Sequence, residues 1–280
     1  MRDIRRKLSF LIARTENLFH QFPQGKIAYI HIPKCGGTSL NRALQACYLK
    51  WTLSDTNNIV NLDSPASWVT AEHINDHRLS PNTTDDSLVM KFREMLLFYH
   101  MSQRHIELIA GHFPFSSRVA QSFQDKYAFI TILRDPVDRW VSSYFYNRNR
   151  QEYKYRKIEM DIEEYIASDY GRSQGYEYAK FLGGLDENGR YMSNDAVSRA
   201  KENLHKFKLV GTLDNMTEFS VQFEAIFGRK LGLARLNQRP KTENPEAMQF
   251  VEKSIEMITE ICQPDIEIYE YAIRNLINKS

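Results

Sequence analysis

The sequence has few cysteines, little net charge and no long apolar run, and each shortage excludes a class of protein. Its three cysteines, Cys35, Cys47 and Cys262, are an odd number without a CxxC pair or histidines at metal-ligand spacing, so we predict a reducing compartment, no disulfide framework and no metal. The net charge of +2, from 37 basic and 35 acidic residues, lacks the excess of a nucleic-acid binder. Any anion recognition must therefore be local.

No apolar run reaches the roughly 18 residues that a membrane span needs, and no signal peptide with an apolar core opens the sequence. We therefore expect a cytoplasmic protein. Residues 1–22 combine apolar positions near helical spacing with Arg and Lys, as in an amphipathic helix. Such a helix either packs on its own domain, which we favour, or lies on a membrane surface as a peripheral contact.

The pattern of the remaining chain predicts an α/β fold. Short apolar runs at His105–His112, Tyr127–Pro136 and Phe207–Leu213 resemble buried parallel strands, and they alternate with helical patterns. We predict a P-loop-like, three-layer fold with a mostly parallel central sheet and helices on both faces, formed by one domain over residues 1–280. Residues 54–86 are polar and lack a period, so we predict a loop or excursion there.

The most informative segment is "KIAYIHIPKCGGTSLNRAL", residues 26–44, in which an apolar run ends at Pro33 and helix-forming residues follow Ser39. Ligands in parallel sheets bind beyond the carboxyl ends of the strands. Two glycines allow close approach of backbone N–H groups to an oxyanion, and a helix amino end, Lys34 and two hydroxyls add donors. The predicted anion-binding residues are Lys34, Cys35, Gly36, Gly37, Thr38 and Ser39.

This loop differs from the ATP- or GTP-binding pattern G-x-x-x-x-G-K-[ST], in which the lysine follows the glycines. Here Lys34 precedes them. Asp135 could imitate a magnesium-binding acid, but Pro136 directly after it favours a helix N-cap. Arg134 at the end of a predicted strand and Ser142, two turns into the next helix, could converge on one phosphate.

At this point the sequence resembles a known family. "HIPKCGGTSL" resembles the 5'-phosphosulfate loop of sulfotransferases that use 3'-phosphoadenosine-5'-phosphosulfate (PAPS), and "RDPVDRWVSSYFY" resembles their 3'-phosphate motif. The branch with the heparan sulfate 2-O-sulfotransferases and related carbohydrate enzymes is the most similar. The resemblance implies that PAPS is the cosubstrate, that Arg134 and Ser142 hold its 3'-phosphate, and that the late segment "LNQRPKT" contributes Arg239 and Lys241 to nucleotide binding.

Sulfuryl transfer to a hydroxyl needs a base and stabilisation of the charge that grows on the leaving phosphate. Lys34 suits the second role. We predict His112 as the base because it follows a strand that should end at the same sheet edge as Lys34. The resemblance points to the same residue, since the carbohydrate-active branch carries a Gly-His at this place. His105 is the alternative.

The acceptor is less defined by the sequence. A carbohydrate hydroxyl is the favoured acceptor, and a protein, lipid or small-molecule hydroxyl is the alternative. The segment "SSYFYNRNRQEYKYRK" interleaves aromatic and basic residues, which suits either an acidic glycan or a solvated helix end. A nucleotide-dependent kinase and a non-catalytic nucleotide-binding module stay as alternative functions, and the oligomeric state is not predicted.

Overall fold

The computed structural model of the chain describes residues 23–49, 58–74, 86–149, 157–186, 190–232, 249 and 251–277. The predicted amphipathic helix at residues 1–22 lies outside the described residues, as do the predicted nucleotide contacts Arg239 and Lys241.

A five-stranded sheet forms the centre of the protein, with the strand order β2-β3-β1-β4-β5 and parallel pairing between all neighbours. The three strands β3, β4 and β5 are almost wholly buried, as parallel strands covered on both faces should be. The predicted parallel α/β sheet is confirmed. The strands are β1 Lys26–Ile30, β2 Ile59–Asn61, β3 Leu108–Gly111, β4 Tyr127–Leu133 and β5 Leu209–Thr212.

Helices surround the sheet and connect its strands. Two 3₁₀ turns, Gln174–Tyr176 and Leu213–Asn215, and two π-helical turns, Ala179–Gly183 and Ile273–Ile277, occur beside the regular helices of the described residues. The α-helices of the described residues are α1 Gly37–Tyr48, α2 Ser64–Ile74, α3 Ser87–Ser102, α4 Ser117–Phe123, α5 Pro136–Arg148, α6 Ile162–Ala167, α7 Asp169–Ser173, α8 Asn194–Leu204, α9 Met216–Phe227, α10 Ile255–Ile261 and α11 Gln263–Ala272.

Alternation along β1 divides the core into two layers, one on each sheet face. Ile27 and Tyr29 belong to a buried cluster with residues of α1 and α9. Ala28 and Ile30 belong to a second cluster with residues of α3, α8 and α11. Successive side chains of a strand point to opposite faces. The two sets of β1 side chains contact different helices, so both faces of the sheet are covered by helices. Full burial of an aliphatic side chain such as Ile30 contributes about 1.5 to 3 kcal/mol.

The prediction of a loop across residues 54–86 was wrong in part, because this segment contains β2 and α2. Strand β2 has only three residues, which is too short to show a period, and it forms because Ile59 and Val60 pair in parallel with β3. Helix α2 mixes polar and apolar residues and buries a narrow stripe, including Trp68 and Ala71. Both elements depend on tertiary partners that a local pattern does not report.

The start of α5 agrees with the sequence. The Asp135 side chain accepts a hydrogen bond from the Asp138 backbone N–H at 2.9 Å, and Pro136 occupies the first helical position. Asp135 is therefore an N-cap, as predicted, and it fixes the point at which the chain leaves β4 and enters α5.

Candidate active site

The loop between β1 and α1 has a constrained backbone at the carboxyl edge of the sheet. Gly36, the N-cap of α1, has φ 73° and ψ 8° in the left-handed region. Lys34 has φ 67° and is the only residue other than glycine with positive φ in the described part of the chain. A left-handed conformation at such a residue costs on the order of 1 to 3 kcal/mol and is typical of functional loops. The constraint therefore falls on the residue predicted to assist the leaving group.

Glycine is required at position 37 for a reason that the sequence did not show. A Cβ added to Gly37 would overlap the ring of His31. The prediction that the two glycines let backbone N–H groups approach an oxyanion concerns another side of the backbone and stays a prediction; in the Cβ direction of Gly37 the space is filled by His31. This packing ties the start of α1 to the end of β1.

The amino end of α1 provides donors for an anion. Its N-cap Gly36 has no side chain that could cap the helix, and the Ser39 backbone N–H donates to the Gly36 carbonyl oxygen at 3.3 Å, whereas α5 has the Asp135 cap. The first backbone N–H groups of an α-helix have no partner within the helix and, with the helix dipole, favour an anion. Thr38 is exposed and Ser39 is half-buried, and both begin this helix. Burial raises the pKa of the Cys35 thiol to about 11, so the loop carries no thiolate that would repel an anion.

Arg134 links the two motifs that the sequence singled out. Its Nη1 donates to the backbone carbonyl oxygen of Lys34 at 3.2 Å, and its Nη2 lies 3.7 Å from Oδ2 of Asp138. The Arg134 side chain is 16% exposed. A partly exposed guanidinium thus lies beside the candidate anion-binding loop, and its ion pair with Asp138 is a contact that a bound phosphate would compete with.

Ser142 lies on the face of α5 that is turned toward this loop. Asp138, Ser142 and Tyr146 are spaced by four residues, so they share one side of the helix. Asp138 pairs with Arg134, and the Tyr146 ring centroid lies 3.7 Å from Nζ of Lys34. Ser142 therefore stands between two residues that contact the predicted site. Tyr146 was not predicted, although its spacing from Ser142 is a signal that could have found it.

His112 directly follows β3 and lies beside the end of β1. Ile30 pairs with Gly111, and the His31 and His112 rings are 4.4 Å apart between centroids. Nδ1 of His112 is 2.6 Å from the carbonyl oxygen of His31. A carbonyl oxygen only accepts, so Nδ1 carries the proton and the neutral ring has its lone pair on Nε2. This tautomer is the one that a base acting through Nε2 needs.

His31 is neutral at ordinary pH. Burial, with a smaller contribution from the nearby Lys34 charge, lowers the pKa of His31 to about 4. His31 thus adds no positive charge beside His112 near pH 7. Its carbonyl orients the His112 ring, and its own ring fills the space beside Gly37.

His105, the alternative base, lies at the other edge of the sheet. It precedes β3, whereas the loop with Lys34 and the His112 position follow the carboxyl ends of their strands. Lys26, at the start of β1, donates to the backbone of Arg104 at 2.7 Å, which places this neighbourhood at the amino edge. The structure therefore separates His105 from the candidate anion-binding loop by the length of a strand.

The basic segment that begins in the last turn of α5 is described only in part. Arg148 donates to the Glu159 carbonyl oxygen at 3.1 Å, and Lys157 lies 3.4 Å from the Glu159 carboxylate. These two side chains thus have local protein contacts. The remaining basic residues of this segment lie outside the described residues, so a role in acceptor binding stays a prediction.

Tyr178 contacts both motifs of the candidate site and was not predicted from the sequence. Its hydroxyl accepts a hydrogen bond from the Arg134 backbone N–H at 2.9 Å and donates to the Arg134 carbonyl oxygen. The Tyr178 hydroxyl oxygen is also 3.6 Å from Sγ of Cys35. Burial raises the pKa of Tyr178, which keeps its donor proton in place. Tyr178 belongs to no motif, and no local signal marks it.

The parallel sheet, its strand order and the surrounding helices define an α/β protein with a candidate anion-binding loop after β1. A family model described as "Sulfotransferase family" matches residues 18–274, and the chain belongs to this family. The predicted resemblance to PAPS-dependent sulfotransferases is thereby confirmed, and the family includes the heparan sulfate 2-O-sulfotransferase-like branch. Its members generally use PAPS.

The other comparisons add little. The search of curated proteins finds no match. One similar solved chain comes from work titled "Molecular and structural characterization of the PezAT chromosomal toxin-antitoxin system of the human pathogen Streptococcus pneumoniae". It shares 15% identity over 90% of this chain and 96% of that chain, with a TM-score of 0.34, which is too low to carry an argument about fold or function.

Proposed function

We propose that the protein transfers a sulfuryl group from PAPS to a hydroxyl, and that the acceptor is a carbohydrate. A protein, lipid or small-molecule hydroxyl is the alternative acceptor. The observation that carries the proposal is the contact between the two motifs: Arg134 donates to Lys34, beside the uncapped amino end of α1. Family membership supports sulfuryl transfer as the reaction class.

The donors of this site fit a nucleotide with two separate anionic groups. The α1 amino end, Lys34 and the hydroxyls of Thr38 and Ser39 form one set, which suits the 5'-phosphosulfate. Arg134 and Ser142 form the second set, which suits the 3'-phosphate. Arg239 and Lys241, outside the described residues, are proposed as additional nucleotide contacts. When bound, PAPS supplies the sulfuryl group and a phosphate leaving group.

The residues of the chain then have distinct tasks. His112 accepts the proton of the acceptor hydroxyl at Nε2, because its Nδ1–H is held by the His31 carbonyl. The same hydrogen bond stabilises the imidazolium that forms, since both nitrogens then donate. The Lys34 ammonium stabilises negative charge on the departing phosphate. Because this ammonium lies over the Tyr146 ring, it must either move off the ring or contact the ring and the phosphate together.

A kinase or a non-catalytic nucleotide-binding module is less well supported. Lys34 lies before Gly36, and the first turn of α1 from Gly37 has no lysine, unlike the ATP- and GTP-binding loop. A binding module has no need of a histidine whose tautomer is fixed at the site. No group of His, Cys, Asp and Glu residues suited to a metal ion occurs among the described residues; independence from metal stays a prediction.

A thermal-shift experiment separates these functions. The product nucleotide 3'-phosphoadenosine-5'-phosphate (PAP) should stabilise the protein by about 2.7 kcal/mol at 100 times its Kd. ATP with magnesium should stabilise it much less at the same concentration. A preference for ATP with magnesium would contradict the proposed reaction class.

The acceptor requires a separate experiment. Transfer of radiolabelled sulfate from PAPS is measured with glycan, lipid, peptide and small-molecule acceptors, each with and without the protein. Labelling of a glycan is expected. Labelling confined to another class would replace the carbohydrate proposal and leave sulfuryl transfer intact.

We propose a cytoplasmic location with no nucleic-acid partner, in line with the net charge of +2. In the described part of the chain, no helix is both long and apolar enough to cross a bilayer. Peripheral membrane contact through residues 1–22 is the alternative. Flotation of the full chain with anionic and with neutral vesicles tests it, and the single-domain organisation over residues 1–280 stays a prediction.

A further inference from the structure

A single buried hydroxyl contacts both motifs of the proposed site. The Tyr178 oxygen bonds with the backbone N–H and with the carbonyl of Arg134, and it lies 3.6 Å from the thiol of Cys35. Arg134 follows β4, whereas Cys35 belongs to the loop after β1. Tyr178 therefore joins the connections that follow two neighbouring strands.

Tyr178 is itself held from the opposite side. Its side chain is fully buried, and its backbone N–H donates to Oδ1 of Asp265 at 2.9 Å. Asp265, in α11, is also fully buried and lies 3.9 Å from the Arg139 guanidinium in α5. The Tyr178 hydroxyl therefore has little freedom to move, so its position constrains the position of Arg134.

The position of the Arg134 guanidinium depends on the contact between the Tyr178 hydroxyl and the Arg134 backbone. The backbone of Arg134 is held at both of its polar groups by one oxygen, and its side chain then reaches the Lys34 carbonyl at 3.2 Å. Without the hydroxyl, the N–H and C=O of Arg134 lose that partner, and the backbone gains freedom to rotate. A displacement of about 1 Å at a binding group can reduce activity by about 100-fold.

We propose that Tyr178 is a positioning residue for nucleotide recognition: its hydroxyl sets Arg134 against the loop of Lys34 and Cys35, so that the guanidinium can select a 3'-phosphate. The inference rests on the proposed function. Tyr178 acts through Arg134 and is assigned no contact with the nucleotide.

The test uses the full chain and the variant Tyr178→Phe, which removes only the hydroxyl. Affinities for PAP and for adenosine 5'-phosphate, which lacks the 3'-phosphate, are measured by calorimetry. Tyr127→Phe is the matched control, because Tyr127 is also buried and donates to the Ile106 carbonyl at 2.9 Å, at the amino end of β4. A melting curve is recorded for every variant.

The ratio of the two affinities is the readout, since general destabilisation lowers both together. Tyr178→Phe should reduce the preference for PAP by about 10-fold, and Tyr127→Phe should leave it unchanged. If Tyr178→Phe keeps the wild-type preference for PAP, the inference is overturned. The proposed function still stands in that case, because the wild-type protein prefers PAP. A wild-type protein without any preference for PAP overturns both.

A double-mutant cycle tests the route through Arg134. In an Arg134→Ala background, removal of the Tyr178 hydroxyl should cause no further loss of PAP preference. An equal additional loss in that background would show that Tyr178 acts by another route and would overturn the inference. If Tyr178→Phe does not fold, 4-aminophenylalanine at this position supplies an amino group that donates to the Arg134 carbonyl oxygen but accepts poorly from the Arg134 backbone N–H. It should reduce the preference for PAP by less than the roughly 10-fold expected for loss of the whole hydroxyl, and an unchanged preference would overturn the inference.

Discussion

The hydrogen bond from His112 to the His31 carbonyl allows a test of the proposed base that separates chemistry from structure. His112→Ala removes both the basic nitrogen and this hydrogen bond. His112→Asn removes the basic nitrogen, but its amide N–H₂ can still donate to the His31 carbonyl, which accepts at 2.6 Å in the wild type. Asparagine is therefore the more informative variant.

The expected loss follows from the role of the base. Removing a general base lowers the rate by about 10²- to 10⁴-fold, which corresponds to about 3 to 5 kcal/mol of transition-state free energy. The contacts of the anion site involve Lys34 and Arg134 and are left in place. Affinity for PAP should therefore stay near the wild-type value in both variants while kcat falls.

The assay is single-turnover transfer of radiolabelled sulfate, measured from pH 5.5 to 8.5 with a melting curve for each protein. The wild-type rate should rise with pH as the imidazole loses its proton, because only the neutral ring accepts one. His112→Asn should lose this rise. A chemical step near the wild-type rate, with the wild-type pH profile, would refute the assignment of His112 as the base.

Four further changes test other parts of the site. Arg134→Ala should weaken PAP binding by about 1.5 to 3 kcal/mol more than adenosine 5'-phosphate binding, by calorimetry; equal losses would contradict the 3'-phosphate role. Lys34→Ala should lower kcat by about 10²- to 10³-fold, whereas an effect on nucleotide affinity alone would reduce Lys34 to a binding residue. Gly37→Ala adds a methyl group that would overlap the His31 ring, and it should lower the free energy of unfolding by about 1 to 3 kcal/mol. Gly232→Ala, where the added methyl group has no neighbour within 4 Å, should lower the free energy of unfolding far less. The His31 pKa of about 4 lies below its unfolded value near 6.5, so His31 makes the protein lose stability as pH falls from 6.5 toward 4. His31→Gln should remove about 2 kcal/mol of that loss at pH 5, measured by urea unfolding against pH 7.5, and an unchanged pH dependence would contradict a His31 that stays neutral in the folded protein.

The local sequence determined the elements on which the site is built. The apolar run before Pro33 predicted β1, and the pair Asp135–Pro136 predicted the boundary between β4 and α5, because capping depends on residues only a few positions apart. The loop at Lys34 and its glycines could also be recognised from their place between a strand and a helix. The roles proposed for these residues stay predictions.

The tertiary structure decided which of these elements meet. The strand order puts β1 between β3 and β4, so the positions after the three strands lie side by side and His112 falls beside His31. Residues distant in the chain then set the details: Tyr178 holds Arg134, and the His31 carbonyl selects the tautomer of His112. A sequence pattern reports local burial and turn preferences, whereas these contacts arise from packing between segments far apart along the chain, and for that reason no local signal contained them.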